Sequence, residues 1–247
     1  MLSKSESKFI KSLQLKKYRK ESGRFIVEGR KNIIETLQSN LEIDNIYVTQ
    51  PFLNENHNIL GASKYRIEIV SEKELSNLGS FQSNSAGLAI VQIPESPVID
   101  YTNQNFFITL DDIRDPGNLG TIIRIADWFN LPQVICSESC ADSYNPKVIN
   151  ASMGSFCRIS CHYTNLKTML ENATIPVIGT SLKGINLHDF SFPRAGYILM
   201  GNESTGIKPE LLKTCSQTVQ IPRLGKAESL NVAVATAILC DNLFRKS

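Results

Sequence analysis

Leu199-Met-Gly-Asn-Glu-Ser-Thr-Gly206 joins a short apolar run to a polar loop that contains glycine. Two other segments share this design, Asn118-Leu-Gly-Thr-Ile-Ile-Arg124 and Ile221-Pro-Arg-Leu-Gly-Lys-Ala-Glu-Ser-Leu-Asn-Val232. In α/β folds the ligand-binding loops follow the carboxyl ends of the strands. The three segments therefore predict a ligand site at the strand ends of an α/β domain.

The second half of the chain alternates short apolar runs with segments of helical periodicity. Strands are predicted at residues 106–110, 133–136, 156–161, 175–180, 197–201 and 218–221, and helices at 119–129, 147–153, 166–172, 208–213 and 229–244. Strands that alternate with helices are typical of a parallel sheet covered by helices on both faces. Residues 106–247 are therefore expected to form one α/β domain.

Residues 1–95 are predicted to form a smaller α/β unit. A basic helix is expected at residues 3–20 and another helix at 30–38, with strands at 24–27, 43–48, 65–70 and 86–93. Ser71 followed by Glu74 is the signature of a capping box, so a further helix should begin there. Prolines at 94 and 97 and a polar run at 102–105 interrupt all periodicity, which predicts a linker over residues 96–105.

The composition is that of an ordinary globular protein of 247 residues, with 42% hydrophobic and 20% charged residues and a net charge of +2. No apolar run approaches the roughly 20 residues that span a bilayer, and the N-terminus lacks the apolar stretch of a signal peptide. A cytoplasmic location is therefore expected. Residues 1–31 carry ten Lys or Arg against three Glu, which leaves the rest of the chain at −5. This basic segment indicates an anionic partner such as nucleic acid, although a solvated Lys-rich helix has the same composition.

Six cysteines raise the question of zinc, because Cys136 and Cys140, and also Cys157 and Cys161, have a C-x3-C spacing. Residues 155–161 alternate like a strand, which would place Cys157 and Cys161 about 13 Å apart at ~3.3 Å per residue. One ion cannot bind both thiolates at that distance, so no metal is expected. Free and mostly buried thiols in a reducing compartment are the better explanation.

Taken singly, the polar residues of the three segments have ordinary structural explanations. Asn118 and Ser229 are candidate helix caps, and Arg124 is a candidate surface residue on the helix face of Gly120. Gly201 would allow a ligand to approach the backbone closely. The glycine spacing matches neither G-x-G-x-x-G nor G-x-x-x-x-G-K-[ST], so a nucleotide-dependent dehydrogenase or kinase has no support.

Taken together and in this order, the three segments resemble the three motifs of the SpoU (TrmH-like) branch of the SPOUT methyltransferases, which are RNA 2′-O-ribose methyltransferases. Tyr144-Asn-Pro-Lys147 and Ala151-Ser-Met-Gly154 also resemble that family. Lys16-Lys-Tyr-Arg19 and Val27-Glu-Gly29 resemble the small substrate-binding domain, related to RNA-binding ribosomal proteins, that often precedes the catalytic domain. The resemblance covers nearly the whole chain.

The resemblance implies a catalytic domain whose parallel sheet contains a deep trefoil knot. It also implies S-adenosylmethionine as the cofactor and a homodimer with the active site near the interface. The residues expected to contact the cofactor are Thr180, Leu199, Gly201, Ile221 and Leu230. The residues expected to contact RNA are Lys16, Lys17, Arg19 and Arg30.

The implied reaction is in-line attack of a ribose 2′-oxygen on the sulfonium methyl group, without a metal. The family assigns removal of the hydroxyl proton to the arginine of the first segment, here Arg124, although arginine stays protonated in proteins. We therefore expect Arg124 to orient the phosphate of the target nucleotide and to stabilise the developing alkoxide. The residues expected to position Arg124 and the ribose are Asn118, Glu203, Ser229 and Asn231.

Three residues depart from the family's usual pattern. Ile125 stands where Thr is common, Arg223 where Met is frequent, and Ala233 where Ser often follows Asn-Val. None of these departures removes an expected catalytic group.

The expected function is methylation of a ribose 2′-hydroxyl of RNA. A full N-terminal domain, rather than short terminal extensions, favours ribosomal RNA over the alternative, transfer RNA. A hypothesis from another class is an RNA-binding dimer that has lost catalysis. The presence of Asn118, Arg124, Glu203 and Asn231 argues against it.

Overall fold

The computed structural model describes residues 2–61, 65–95 and 105–245 and divides the chain into two compact units. The first unit comprises Met1–Glu95 and Asp142–Arg158, and the second comprises Ser96–Ala141 and Ile159–Ser247. The segment Asp142–Arg158 therefore packs with the N-terminal residues, whereas the sequence placed it in the catalytic domain. The predicted linker at 96–105 lies, apart from Asn105, outside the described residues.

Ten helices and strands are described up to residue 95. They are α1 (Lys4–Ser12), α2 (Lys16–Ser22), β1 (Arg24–Glu28), α3 (Arg30–Leu37), β2 (Ile43–Val48), α4 (Gln50–Glu55), α5 (His57–Leu60), β3 (Arg66–Ile69), α6 (Glu72–Leu78) and β4 (Gly87–Gln92). The predicted strands are confirmed to within a residue or two, whereas the short helices α4 and α5 were not predicted.

The elements from residue 105 onward follow the predicted alternation of strands and helices. They are β5 (Phe106–Leu110), α7 (Pro116–Trp128), β6 (Gln133–Ser137), α8 (Pro146–Ser152), a 3-10 turn (Ser155–Cys157), β7 (Ser160–Thr164), α9 (Leu166–Glu171), β8 (Val177–Asn186), β9 (Gly196–Met200), α10 (Pro209–Leu212), β10 (Gln217–Gln220) and α11 (Val232–Phe244). The strand predicted at 156–161 is wrong in its first half, because residues 155–157 form the 3-10 turn.

The first unit is built on a four-stranded sheet in the order β1-β4-β2-β3, with β1 and β2 antiparallel to β4 and β3 parallel to β2. Successive side chains of β1 point to opposite faces, so Phe25 and Val27 enter one apolar cluster and Ile26 enters another. Both faces of the sheet are thus covered, and Ile149 of α8 joins the first cluster.

Local capping explains where helix α6 begins. The Ser71 hydroxyl accepts the Glu74 amide at 3.2 Å and the Glu74 carboxylate accepts the Ser71 amide at 2.9 Å, which confirms the predicted capping box. The helix predicted at 3–20 is instead broken into α1 and α2 around the buried residue Leu13.

The second unit contains a six-stranded sheet in the order β10-β8-β9-β5-β6-β7, and every neighbouring pair is parallel. The predicted parallel α/β sheet is confirmed. Its apolar strands are buried, β5, β6 and β9 along their whole length, as expected for a sheet covered on both faces. The trefoil knot that the resemblance implies stays a prediction.

No helix in the described parts of the chain combines the length and the apolar character that crossing a membrane requires.

Candidate active site

The sheet order brings three loops to one edge of the second unit. Strands β5 and β9 are neighbours, and β10 lies beyond β8 on the same side. Because all these strands are parallel, the loops that follow β5, β9 and β10 emerge at their carboxyl ends. These loops lead into, or contain, the three segments that the sequence singled out.

Hydrogen bonds join one residue of each segment into a chain. The Asn118 side-chain amide donates to Oε1 of Glu203, and Nδ2 of Asn231 donates to Oδ1 of Asn118 at 2.8 Å. Asn118 is thereby held with its amide nitrogen toward the carboxylate and its oxygen toward Asn231. Three of the four residues predicted to position Arg124 and the ribose are therefore joined by hydrogen bonds, and Ser229 is not part of this array.

The helix caps beside this array differ from those considered from the sequence. Helix α7 is capped by Asp115, whose Oδ1 accepts the Asn118 amide at 2.8 Å. Helix α11 is capped by Asn231, whose Oδ1 accepts the amides of Ala233 and Val234 at 3.0 and 3.3 Å. The helix does not begin at Ser229 as predicted, so Ser229 is not its N-cap.

Arg124 lies on the exposed face of α7. Among the described residues it has no hydrogen bond or ion pair, and it is not among the residues that line the cavity described below. Trp128, one helical turn further along the same face, is 82% exposed. Arg124 thus presents a free guanidinium beside an exposed aromatic ring.

A buried carboxylate that the sequence did not identify anchors the loop after β9. Asp111 is fully buried and accepts both the backbone amide and Nζ of Lys208, each at 2.9 Å. The hydrogen bond to Asp111 raises the pKa of Lys208. Asn202 Nδ2 also donates to the Asp112 carbonyl at 2.9 Å. The position of Asp111 directly after an apolar strand was the available signal, but its partner lies 97 positions away.

Asp112 adopts a left-handed backbone conformation with φ of 60°. This conformation is uncommon outside glycine, and Asp is among the residues that tolerate it. It accompanies the sharp turn from β5 into the loop that leads to α7. The amide of Asp112 donates to the Ser137 hydroxyl at 2.9 Å, and the Asp112 carboxylate pairs with Arg114 at 2.8 Å.

Gly201 is required by the chain itself. A Cβ placed on Gly201 would lie 2.2 Å from the Ile207 nitrogen and 2.3 Å from the Gly206 carbonyl carbon. The loop doubles back here, since Asn202 and Gly206 exchange backbone hydrogen bonds at 3.1 and 2.8 Å. From the sequence, this glycine was expected to allow a ligand to approach the backbone closely. The structure supplies a different reason.

A cavity of about 530 Å³ opens among these loops. Four of the five predicted cofactor residues line it, namely Thr180, Gly201, Ile221 and Leu230, and so do Glu203 and Ser229. Leu199 does not, because its side chain is buried in the core beneath. Its carbonyl instead accepts the Thr180 hydroxyl at 3.2 Å. Lining residues that the sequence did not single out include Leu182, Met200, Asn202, Glu228 and Leu239.

The cavity fits S-adenosylmethionine in size and chemistry. Its volume lies within the range of roughly 300–1,000 Å³ typical of small-molecule sites. Leu182, Met200 and Leu239 give it apolar walls suited to an adenine ring, and carboxylates on its lining suit a sulfonium cation. Across residues 223–230 the described structure gives the backbone amides no hydrogen-bond partner. These donors are available to a polar ligand.

The four residues predicted to contact RNA lie in the first unit and differ in exposure. Lys16 and Lys17 are exposed, and Lys17 pairs loosely with Glu21 at 3.8 Å. Arg30 is half-exposed, pairs with Glu55 at 2.7 Å and lies over the Phe52 ring.

The burial of Arg19 contradicts the predicted contact between this residue and RNA. It is 2% exposed, its Nη2 pairs with Asp142 Oδ2 at 2.5 Å, and its Nη1 donates to the Leu13 carbonyl at 2.7 Å. Because the helix is broken between α1 and α2, the Leu13 carbonyl has no partner within a helix. The Arg19 guanidinium supplies its hydrogen bond instead. Arg19 is therefore a structural residue of the first unit.

The six cysteines are free. Cys157 ends the 3-10 turn and Cys161 lies on β7, so the extended strand assumed between them is absent. Within the described ranges, no three His, Cys, Asp or Glu side chains are grouped so that they could hold a metal ion. Thiol hydrogen bonding to Cys136 lowers the pKa of Cys140 to about 7.

Comparisons with known proteins agree with this architecture. Residues 105–241 match the model of the SpoU rRNA Methylase family, and residues 4–89 match that of the MRM3-like substrate binding domain. The chain is 30% identical over 237 residues to the 23S rRNA (guanosine(2553)-2′-O)-methyltransferase RlmP of Bacillus subtilis, covering 94% of this chain and 93% of that protein.

Two solved structures resemble the whole chain. A putative RNA methyltransferase of the TrmH family from Porphyromonas gingivalis has a TM-score of 0.87 at 31% identity, with all of both chains covered. The AdoMet-bound rRNA methyltransferase from Sinorhizobium meliloti has a TM-score of 0.89 at 29% identity, covering 100% of this chain and 96% of that one.

Proposed function

The chain belongs to the SpoU rRNA methylase family, and from that membership we propose that it methylates a ribose 2′-hydroxyl of 23S ribosomal RNA. It is an enzyme of the RNA 2′-O-methyltransferase class and uses S-adenosylmethionine. The observation that carries the proposal is the hydrogen-bonded array of Glu203, Asn118 and Asn231, since Glu203 also lines the cavity that fits the cofactor.

Catalysis follows from how this chain's side chains hold the ribose. The cofactor supplies an electrophilic methyl group on a sulfonium that leaves as a neutral thioether. Glu203, fixed by the Asn118 amide, accepts a hydrogen bond from the target ribose and orients its hydroxyl. The hydroxyl proton passes to the Glu203 carboxylate. Arg124, which is unpaired among the described residues, binds the neighbouring phosphate and stabilises the negative charge that develops on the ribose oxygen. Ser229 on the cavity lining supplies a further polar contact.

Substrate capture is assigned to the first unit. Residues 4–89 match a substrate-binding family, and Lys16, Lys17 and Arg30 place positive charge on its surface. Such charges contact phosphates without reading sequence. The free cysteines accord with a cytoplasmic enzyme.

We also propose that two copies form a homodimer through the exposed face of α7. Trp128 at 82% exposure and Val234 of the adjacent helix α11 at 50% are apolar residues that a partner subunit would cover. Sedimentation of Trp128→Asp should then report a monomer. Leu224→Asp, which alters a fully exposed loop residue, should leave the dimer intact.

The activity is tested with tritiated S-adenosylmethionine and separated 23S rRNA, 16S rRNA and tRNA, each lacking the modification. The control is Arg194→Ala, which alters an exposed arginine just before β9 that does not line the cavity. The expected result is label in alkali-stable dinucleotides from 23S rRNA that is lost in Arg124→Ala and kept in Arg194→Ala. Label confined to tRNA would contradict the rRNA assignment. RNA binding without any incorporation would identify a non-catalytic RNA-binding protein.

A further inference from the structure

The cavity lining carries three charged side chains. Glu203 and Glu228 are acidic, and Arg223 is the single cationic residue among the described lining residues. S-adenosylmethionine also carries three charges, a cationic sulfonium, an α-ammonium group and an α-carboxylate. For each charged group of the ligand, the lining therefore contains one side chain of the opposite charge.

Arg223 has unused hydrogen-bonding capacity. Its one described hydrogen bond is a long contact of 3.3 Å from Nη1 to the Ala227 carbonyl, and in the described residues it forms no ion pair. A guanidinium has five N–H donors in a planar fork that matches a carboxylate in two-point contact. An exposed arginine with free donors on the wall of a ligand cavity is suited to an anionic group of the ligand.

A smaller cavity of about 230 Å³ adjoins the same side chain. It is lined by Leu182, Gln220, Ile221 and Arg223. Leu182, Ile221 and Arg223 also line the larger cavity. Arg223 therefore borders both spaces.

We propose that Arg223 binds the α-carboxylate of S-adenosylmethionine and so selects for the intact amino-acid end of the cofactor. The inference rests on the proposed function and adds a specificity residue to it. Glu228 on the same lining is available to a cationic group of the ligand.

The test is a binding cycle that does not depend on turnover. Calorimetry measures the affinity of wild type, Arg223→Met, Arg223→Lys and Lys226→Met for S-adenosylhomocysteine and for its decarboxylated analogue, S-adenosyl-3-thiopropylamine. Lys226 is the matched control, because it is an exposed cation of the same loop that does not line either cavity.

Wild type should bind S-adenosylhomocysteine about tenfold more tightly than the decarboxylated analogue, as expected for one partly exposed charge-assisted contact. Arg223→Met should lose that preference by binding the first ligand about tenfold more weakly while its affinity for the analogue barely changes. Arg223→Lys should keep part of the preference, and Lys226→Met should keep all of it.

Any of the following results would overturn the inference. If Arg223→Met lost affinity for both ligands by the same factor, the arginine would only shape the loop. Unchanged affinity for both, with weaker RNA binding, would assign Arg223 to the RNA. If wild type bound neither ligand, the cofactor assignment itself would fail and this inference with it. If Arg223→Met binds both ligands as tightly as wild type does, this inference fails but the cofactor assignment stands.

Discussion

Asn231 donates from Nδ2 to Oδ1 of Asn118 at 2.8 Å across a sequence separation of 113 residues, while its own Oδ1 caps helix α11. One side chain thus starts a helix and orients the residue that binds Glu203. The stability of α11 and the geometry of the hydrogen-bonded array of Asn118, Glu203 and Asn231 both depend on this single amide. The two roles use different atoms, so substitutions can separate them.

Asn231→Ala should lower the free energy of unfolding by about 1 kcal/mol, because the cap of α11 is lost. It should also slow methyl transfer, because Asn118 loses the donor that fixes its orientation. Asn231→Asp keeps a capping oxygen but lacks the N–H donor, so it should unfold like wild type and still be slow. Urea unfolding and single-turnover methylation measure the two effects. Full activity in Asn231→Asp would show that the Asn118 contact has no catalytic role.

Lys208→Met should destabilise the protein by about 1–3 kcal/mol, since it leaves the buried Asp111 carboxylate with one donor fewer. Lys213→Met, which alters an exposed lysine after the same short helix α10, is the control and should have little effect. The loop that carries Glu203 should loosen as well, so the affinity for S-adenosylhomocysteine should fall. Equal stability of the two variants would contradict the anchoring role of Asp111.

The same pair gives a pH dependence. The hydrogen bond to Asp111 raises the pKa of Lys208 above the ordinary value of 10.5. A raised folded-state pKa means that the stabilisation is fully present below 10.5 and is lost as the pH rises through the higher value. The difference in unfolding free energy between wild type and Lys208→Met should therefore be constant from pH 7 to 9 and shrink above about 10.5.

Gly201→Ala should destabilise the protein by about 1–3 kcal/mol, because the new methyl group would overlap backbone atoms that cannot move independently. Gly225→Ala is the matched control in the loop after β10, where an added Cβ meets nothing within 4 Å. Thermal unfolding of both variants measures the difference. A fully stable Gly201→Ala that still binds cofactor would mean that the loop can open without cost.

Arg19→Met should lower the unfolding free energy by about 3 kcal/mol, because Asp142 loses its buried partner and the Leu13 carbonyl loses its donor. Lys17→Met should leave stability unchanged and weaken RNA binding, with a shallower dependence on salt. Urea unfolding and RNA binding at two salt concentrations separate these outcomes. Weak RNA binding by an Arg19→Met protein of normal stability would restore Arg19 as an RNA contact.

The parts of the fold that could be predicted were those that local sequence specifies. Strand β5 is a continuous apolar run, and Ser71 with Glu74 caps α6 through atoms three residues apart. Strand β2 was predicted with its observed bounds, Ile43–Val48. The failures were local as well. The alternation at 155–161 looked like a strand, yet Gly154, in a left-handed conformation, begins a 3-10 turn there.

The candidate site was predictable in its residue types and in its place at the strand ends, but not in its contacts. Asn118, Glu203 and Asn231 were singled out one by one, and their hydrogen bonds became visible only in the folded chain. Asp111 was missed because its partner is remote in sequence. Arg19 was misassigned, since a lysine-rich segment gives no sign that one of its cations turns inward.

Patterns within a few residues specify the alternation of strands and helices, the positions of the polar loops and the family. The contacts between side chains, the burial of Arg19 and the requirement for Gly201 beside the backbone of Gly206 and Ile207 became apparent only in the folded chain. Hydrogen bonds and steric overlap act over a few ångströms. Residues 85 to 113 positions apart come within that range only after the sheet has formed.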